Sequence, residues 1–163
     1  MHGAPGIGAG PLSGAMLFDG AADYVSVAYN ATNGLYPTDT AFTVSAWFKT
    51  ARTSASEQVI VSTHGADGGA DGYIMAVDTI TLGGKLRWSG ICASSGEVVS
   101  VSAVNDGRWR HAVGVWDGAS AVLYIDGVLQ GQSSDSGIAV YTNRCFFGVG
   151  YTENSDTPEA PAS

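Results

Sequence analysis

The residues of this chain that could do chemistry are few, and most of them are carboxylates and aromatic rings. Asp67 and Asp71 stand in the run His64-Gly-Ala-Asp-Gly-Gly-Ala-Asp-Gly, and two carboxylates in so glycine-rich a loop could hold a hard cation. The loop is not an EF-hand, because the alternating ligands and the closing glutamate are missing. The plain alternative is a hairpin loop. Asp19 and Asp23 flank a tight turn, a place where aspartates bond local backbone. Trp88, Trp109, Trp116, Tyr73, Tyr124 and Tyr141 are candidate platforms for sugars, whose apolar C–H faces lie well on aromatic rings. Trp88, Tyr73 and Tyr141 are the expected ligand contacts, with Trp88 the exposed ring. Arg87, next to Trp88, falls on the opposite face by strand alternation, so the two should not share a site.

Catalytic groups are harder to find. His111 has no Ser or Cys nucleophile in a recognisable frame, and the Gly-x-Ser-x-Gly elbow is absent, so it reads as a structural histidine. The glutamates are Glu57, Glu97, Glu153 and Glu159, and none stands beside another acid at strand spacing. Retaining glycoside hydrolysis needs two carboxylates roughly 5 Å apart. No catalytic residue is assigned, and the expectation is a protein that is not an enzyme. Cys92 and Cys145 lack the Cys-x-x-Cys spacing and histidine partners of a zinc site. They read either as two small buried hydrophobes or as a single disulfide.

Charge excludes further classes. Seven Lys and Arg against 15 Asp and Glu leave a formal net charge of −8. Phosphate backbones and anionic lipid both need clustered cations, so neither nucleic acid nor a membrane surface is an expected partner. No apolar run approaches the roughly 20 residues of a membrane span. Met1–Gly14 has neither the basic start nor the apolar stretch of a secretory signal. Either a signal has been removed or the protein leaves the cell by another route, and a virion component released by lysis also fits. The expected location is extracellular or surface-exposed, with a virion surface as one form of it.

These side chains must be positioned by strands. In Phe42–Phe48, Phe42, Val44, Ala46 and Phe48 fall on one face, and Thr43, Ser45 and Trp47 on the other. Similar short segments run through Ala15–Phe18, Tyr24–Tyr29, Phe42–Lys49 as a whole, Gln58–Thr63, Tyr73–Val77, Lys85–Ile91, Val98–Val104, Arg110–Trp116, Ala121–Ile125 and Cys145–Val149. Asp-Gly and Gly-Gly pairs between them supply turns, and Asp126-Gly127 should return the chain into Val128–Leu129. No window carries a sustained helical stripe. At 163 residues and 45% apolar composition, one packed core is expected. The organisation is a Gly/Pro-rich arm over 1–14, an all-β antiparallel sandwich over 15–150, and a Pro/Ser/Ala-rich tail over 151–163.

Four pieces then stand in order: Leu17-Phe-Asp-Gly-Ala-Ala-Asp-Tyr-Val, Phe42-Thr-Val-Ser-Ala-Trp-Phe, Asn105-Asp-Gly-Arg-Trp-Arg-His-Ala-Val and Ala121-Val-Leu-Tyr-Ile-Asp-Gly. Together, from about Ala15 to Gly150, they resemble the laminin-G-like branch of the concanavalin A-like lectin/glucanase group. The resemblance implies a two-sheet antiparallel jelly roll, with Trp47 and Trp109 in core positions. It implies Ca²⁺ at Asp19 and Asp23, where relatives offer loop oxygens. The Glu-x-Asp-x-x-Glu cluster of the glucanase relatives is missing, which supports a binding and adhesion role, with a glycan or glycosylated surface as partner. The C-terminal strand that usually closes such domains also looks absent. An open sheet edge and the arms would then meet neighbouring subunits, as in a virion decoration or fibre component.

Overall fold

The computed structural model describes residues 5–20, 23–25, 41–63, 72–89 and 96–134. All regular structure among them is β. The strands are β1 (Gly6–Ala9), β2 (Gly14–Leu17), β3 (Phe42–Phe48), β4 (Glu57–Ser62), β5 (Ile74–Asp78), β6 (Lys85–Ser89), β7 (Val98–Ala103), β8 (Arg110–Trp116), β9 (Ser120–Ile125) and β10 (Val128–Ser134). One antiparallel sheet has the order β10-β9-β8-β3, and a second has the order β4-β5-β6-β7. These make the two layers of a jelly-roll sandwich. β1 and β2 form a separate antiparallel ribbon.

Alternation along each strand decides what enters the core. Phe42, Val44 and Phe48 of β3 turn inward with Ala112 and Trp116 of β8 and Ala121, Leu123 and Ile125 of β9. They meet Met75 and Val77 of β5, Leu86 and Trp88 of β6 and Val98 of β7. Trp88 is the centre of this layer. Its ring lies 6.0 Å from Phe42 and 5.8 Å from Tyr73, and Phe42 and Tyr73 are 5.1 Å apart. Its indole N–H donates across the sandwich to the Val115 carbonyl at 3.2 Å. The opposing position on β8 is Gly114, where a Cβ would stand 2.4 Å from the indole. Only a residue without a side chain lets β8 approach the ring this closely.

The turns follow the expected chemistry. Asp126, at φ 52, and Gly127, at φ 79, make the two-residue link between β9 and β10, the Asp-Gly pairing that a type I′ turn needs. Asp117 and Asp78 accept the backbone N–H groups of the residues that follow them: Ala119 and Ser120, and Ile80 and Thr81.

Four expectations change. Trp88, expected as an exposed ring, is 0% exposed, because its strand position points inward onto Gly114. Tyr73 is likewise buried beside it. Trp47, expected in the core, is 44% exposed. Here the period-two pattern outweighs family precedent, since Trp47 shares its face with Thr43 and Ser45. The N-terminal segment differs as well, because part of the stretch read as an arm is paired backbone. Tyr141, Asp67, Asp71, Cys92, Cys145, the tail and any closing strand lie outside the described residues.

Gly114→Ala should cost about 1–3 kcal/mol through overpacking, read as a lowered midpoint in chemical denaturation. An unchanged midpoint would show that the indole is not held against β8.

Candidate functional site: an aromatic platform on the outer sheet face

The outward residues of β10-β9-β8-β3 form rows across the strands. Ser45, Val113, Tyr124 and Leu129 stand in register, and Trp47 pairs with His111 in the adjoining row. Trp47 and His111 rings lie 4.9 Å apart at 31°. The Ser45 hydroxyl and His111 Nε2 are 2.8 Å apart. An indole, an imidazole and a hydroxyl thus meet on one open face. The indole supplies an apolar, polarisable surface, and the Ser–His pair supplies a fixed hydrogen-bonding handle. Sequence reasoning missed this constellation because Ser45 and His111 are far apart in the chain. The available signal was the alternation that put Ser45 and Trp47 on the same outer face.

A serine bonded to a histidine invites comparison with a nucleophilic triad, and Asp126 does not take the place of the acid in one. In a triad, the acid holds the imidazole ring. Asp126 accepts instead from the His111 backbone N–H at 2.8 Å and from Arg110 Nη1 at 2.9 Å. Its carboxylate therefore fixes the strand and the turn rather than the ring. Partial burial pushes Asp126 upward, but these two hydrogen bonds and the Arg110 charge outweigh it and hold the carboxyl below the usual range. The hydrogen bond from Arg110 does the same for Asp106. The bonds to both aspartates keep the Arg110 guanidinium firmly protonated.

The rest of the Asn105–Asp126 motif is also structural. Asn105 donates to the Arg52 carbonyl at 2.9 Å, and Gly107 donates to the Thr50 carbonyl at 2.9 Å. Arg52 Nη1 in turn donates to the Gly20 carbonyl at 3.0 Å. Gly84, at φ +88, admits Asn105, whose Oδ1 would lie 2.3 Å from a Cβ there. The motif pieces read from the sequence thus tie the Asp19 loop, the end of β3, the β5–β6 turn and the start of β8 into one latch.

Asp19 and Asp23 come together in that latch. Asp23 Oδ2 accepts the Asp19 N–H at 3.2 Å, and Asp19 Oδ1 accepts the Asp23 N–H at 3.3 Å. This is the turn-forming arrangement. Hard carboxylate oxygens suit calcium, but two side chains are only part of its shell of six to eight ligands. Among the described residues no three His, Cys, Asp or Glu side chains cluster as a metal site.

The second sheet brings together one acid pair that spacing did not reveal. Glu57 and Glu97 both bind Arg87, Glu97 at 3.2 Å. Arg87 lies opposite the buried Trp88 on its strand, as alternation requires. The guanidinium bridges the two carboxylates, an ion-pair network that links β4 and β6 to the residue just before β7.

The sequence profile of the concanavalin A-like lectin/glucanases superfamily, in its laminin-G form, matches residues 19–160, and the chain belongs to that family. Its fold is similar to domain 4 of AbnA, a GH43 extracellular arabinanase from Geobacillus stearothermophilus, solved in complex with arabinotriose. The identity is 16% and the TM-score 0.65, over 98% of this chain and 71% of that one. It is also similar to the binding domain of Paraclostridial Mosquitocidal Protein 1, at 15% identity and TM-score 0.61, over 96% of this chain and 39% of that one. The botulinum neurotoxin serotype D binding domain matches at 18% and 0.58, over 82% and 34%. The chain therefore spans well under half of either toxin domain. No curated protein sequence matches significantly.

The depressed aspartates give a pH dependence with a definite sign. The folded state favours their ionised forms, so the stability they add is complete above about pH 4 and drains as pH falls through the lowered folded values. Asp126→Asn tolerates the left-handed turn but loses the ion pair. It should cost about 1 kcal/mol at neutral pH and flatten the acid side of the melting-temperature profile. Equal acid slopes in the two proteins would contradict the assignment.

Proposed function

We propose that this chain is a non-enzymatic glycan-binding module that works outside the cell, as a lectin-like adhesion domain. The observation that carries it is the exposed Trp47 indole, braced against His111 with Ser45 bonded to the same imidazole. A solvent-exposed indole rimmed by hydrogen-bonding groups offers a stacking surface, and a sugar's C–H face is a suitable partner. Membership of a superfamily of lectins and glucanases supports the reading, as does a similar fold found with an arabinose oligomer. Among the described residues no helix is long and apolar enough to cross a membrane.

Calcium enters this proposal as a ligand of the Asp19–Asp23 loop, not as part of the platform. Calorimetry against a panel of polysaccharides should show binding to at least one, surviving EDTA and weakened at least tenfold in Trp47→Ala. No heat with any glycan, with or without calcium, would contradict the reading. Loss of binding on chelation alone would move the site to the Asp19 loop.

A second reading, assembly into a larger particle such as a virion decoration or fibre component, is favoured by the β1–β2 ribbon. Ile7 and Leu12 are 84% exposed there, Leu17 is 54% exposed and Met16 is 41% exposed. A two-stranded ribbon this apolar is marginal alone and would gain from a neighbouring subunit. Light scattering should then show oligomers that dissociate in the Ile7→Ser, Leu12→Ser double variant. A monomer at all concentrations would remove this reading.

A further inference from the structure

The β1–β2 ribbon carries exposed apolar side chains on both faces and at its tip. Ile7 and Met16 are partners in register and share one face. Leu17, paired with Gly6, takes the other face, where a Cβ on Gly8 would stand 3.0 Å from its Cδ2. The Gly10 N–H donates to the Ser13 carbonyl at 2.6 Å, and the turn so closed presents Leu12 to solvent. A flap that covered its own sandwich would have one apolar face and one polar face. This ribbon has two apolar faces, and among the described strands β1 and β2 pack chiefly on each other. It has the form of a blade to be gripped from both sides.

Where β7 meets β10, the sandwich offers two apolar lips. The edges of the two sheets lie side by side here without pairing as strands. The register of β6 on β7 shifts between Lys85 and Arg87, and the Ser100 hydroxyl takes the Leu86 N–H in place of a ladder bond. The Val101 N–H goes to Gln130 Oε1 at 3.1 Å, and Gln130 Nε2 donates to the Val128 carbonyl at 3.1 Å. One side-chain amide thus spans the seam, with Val101 on its second-sheet side and Val128 and Leu129 on its first-sheet side. All three are exposed, Val101 at 69%.

Charge favours a contact between these two surfaces. Copies that each carry −8 repel one another. No Asp, Glu, Lys or Arg precedes Asp19, and none lies in β7 or β10. At the rim of the seam, Glu97 and Asp126 are held by Arg87 and Arg110, Lys85 stands in register with Ala103, and Asp135 follows β10. Phe42–Phe48 is also uncharged, with Lys49 next, but its outer face is a single surface and offers a blade only one side.

Resting on the assembly reading above, we propose that the β1–β2 ribbon of one copy docks into the β7–β10 seam of a second copy. Ile7 and Met16 meet one lip, and Leu17 meets the other. The ribbon does not fill the seam of its own chain, because Ile7 and Leu12 stand exposed there. Ribbon and seam are different surfaces, so the contact is heterologous and runs head to tail into a chain or ring. β10 lies at the opposite edge of its sheet from β3, roughly 14 Å away. Assembly therefore leaves Trp47 open and sets several such faces on one particle.

Sedimentation velocity over a concentration series tests this, with an Ile7→Ser, Leu12→Ser ribbon variant and a Val101→Ser, Val128→Ser seam variant. The wild-type protein should form oligomers, and each variant should stay monomeric under the same conditions. Mixed together, the two variants should form a one-to-one complex and nothing larger, since only one ribbon and one seam remain whole. Ile80→Ser, at an exposed position between β5 and β6, should assemble like the wild type. Oligomers in the seam variant, no complex in the mixture, or loss of assembly in Trp47→Ala would overturn the inference while assembly through the ribbon stood. A wild-type monomer at every concentration, or a ribbon variant that assembles fully, would overturn both.

Discussion

The contact between Trp88 and Gly114 is the constraint on which the rest of the structure depends. A large ring from one sheet lies against bare backbone of the other and donates its N–H to the neighbouring carbonyl. That contact sets how closely β6 approaches β8, and Phe42 and Tyr73 pack around it. With β8 anchored at Gly114, alternation dictates that Val113 and His111 point away from the core. Register then carries Ser45, Trp47 and Tyr124 to the same outer surface. The buried tryptophan thus makes the exposed one possible.

The latch around Arg52 and Asn105 does a related job at one end of the sandwich. Asn105, Gly107, Arg110 and Asp126 join loops that are distant in sequence through short polar bonds. Their chemistry is that of fold maintenance: Asn105 and Gly107 donate to backbone carbonyls, and Arg110 meets both Asp106 and Asp126. The aspartates in it are acidic because they are used, which makes acid the condition under which the latch loosens.

The fold was legible in the sequence because period-two alternation and Asp-Gly turns are local signals. Arg110–Trp116 appears as read, β10 runs on to Ser134 where only Val128–Leu129 was expected, and the other strands of the two sheets shift by a residue or two at their ends. Of the N-terminal ribbon only the second strand, expected at Ala15–Phe18, was legible, and β1 was not. Gly6, Gly8 and Gly14 have almost no side-chain pattern, and pairing between backbones leaves no trace in composition. The site was legible only in part. Trp88 looked exposed because nothing local reveals which face of an isolated strand meets the other sheet; that depended on Gly114, far along the chain. Trp47 was assigned inward by family precedent although its own strand pattern placed it outward. Ser45 beside His111 is a product of register, which only the folded chain displays.

The inside and the outside of the sandwich therefore hold different tryptophans. Trp88 and Trp116 are buried, and Trp47 stands open to solvent. This difference gives the most direct measurement: acrylamide quenching of tryptophan fluorescence, with and without a polysaccharide that the protein binds. Ligand is expected to shield the readily quenched fraction, and that effect should vanish in Trp47→Phe. Unchanged quenching of the wild-type protein with ligand bound would contradict the assignment of the Trp47 face as the binding surface.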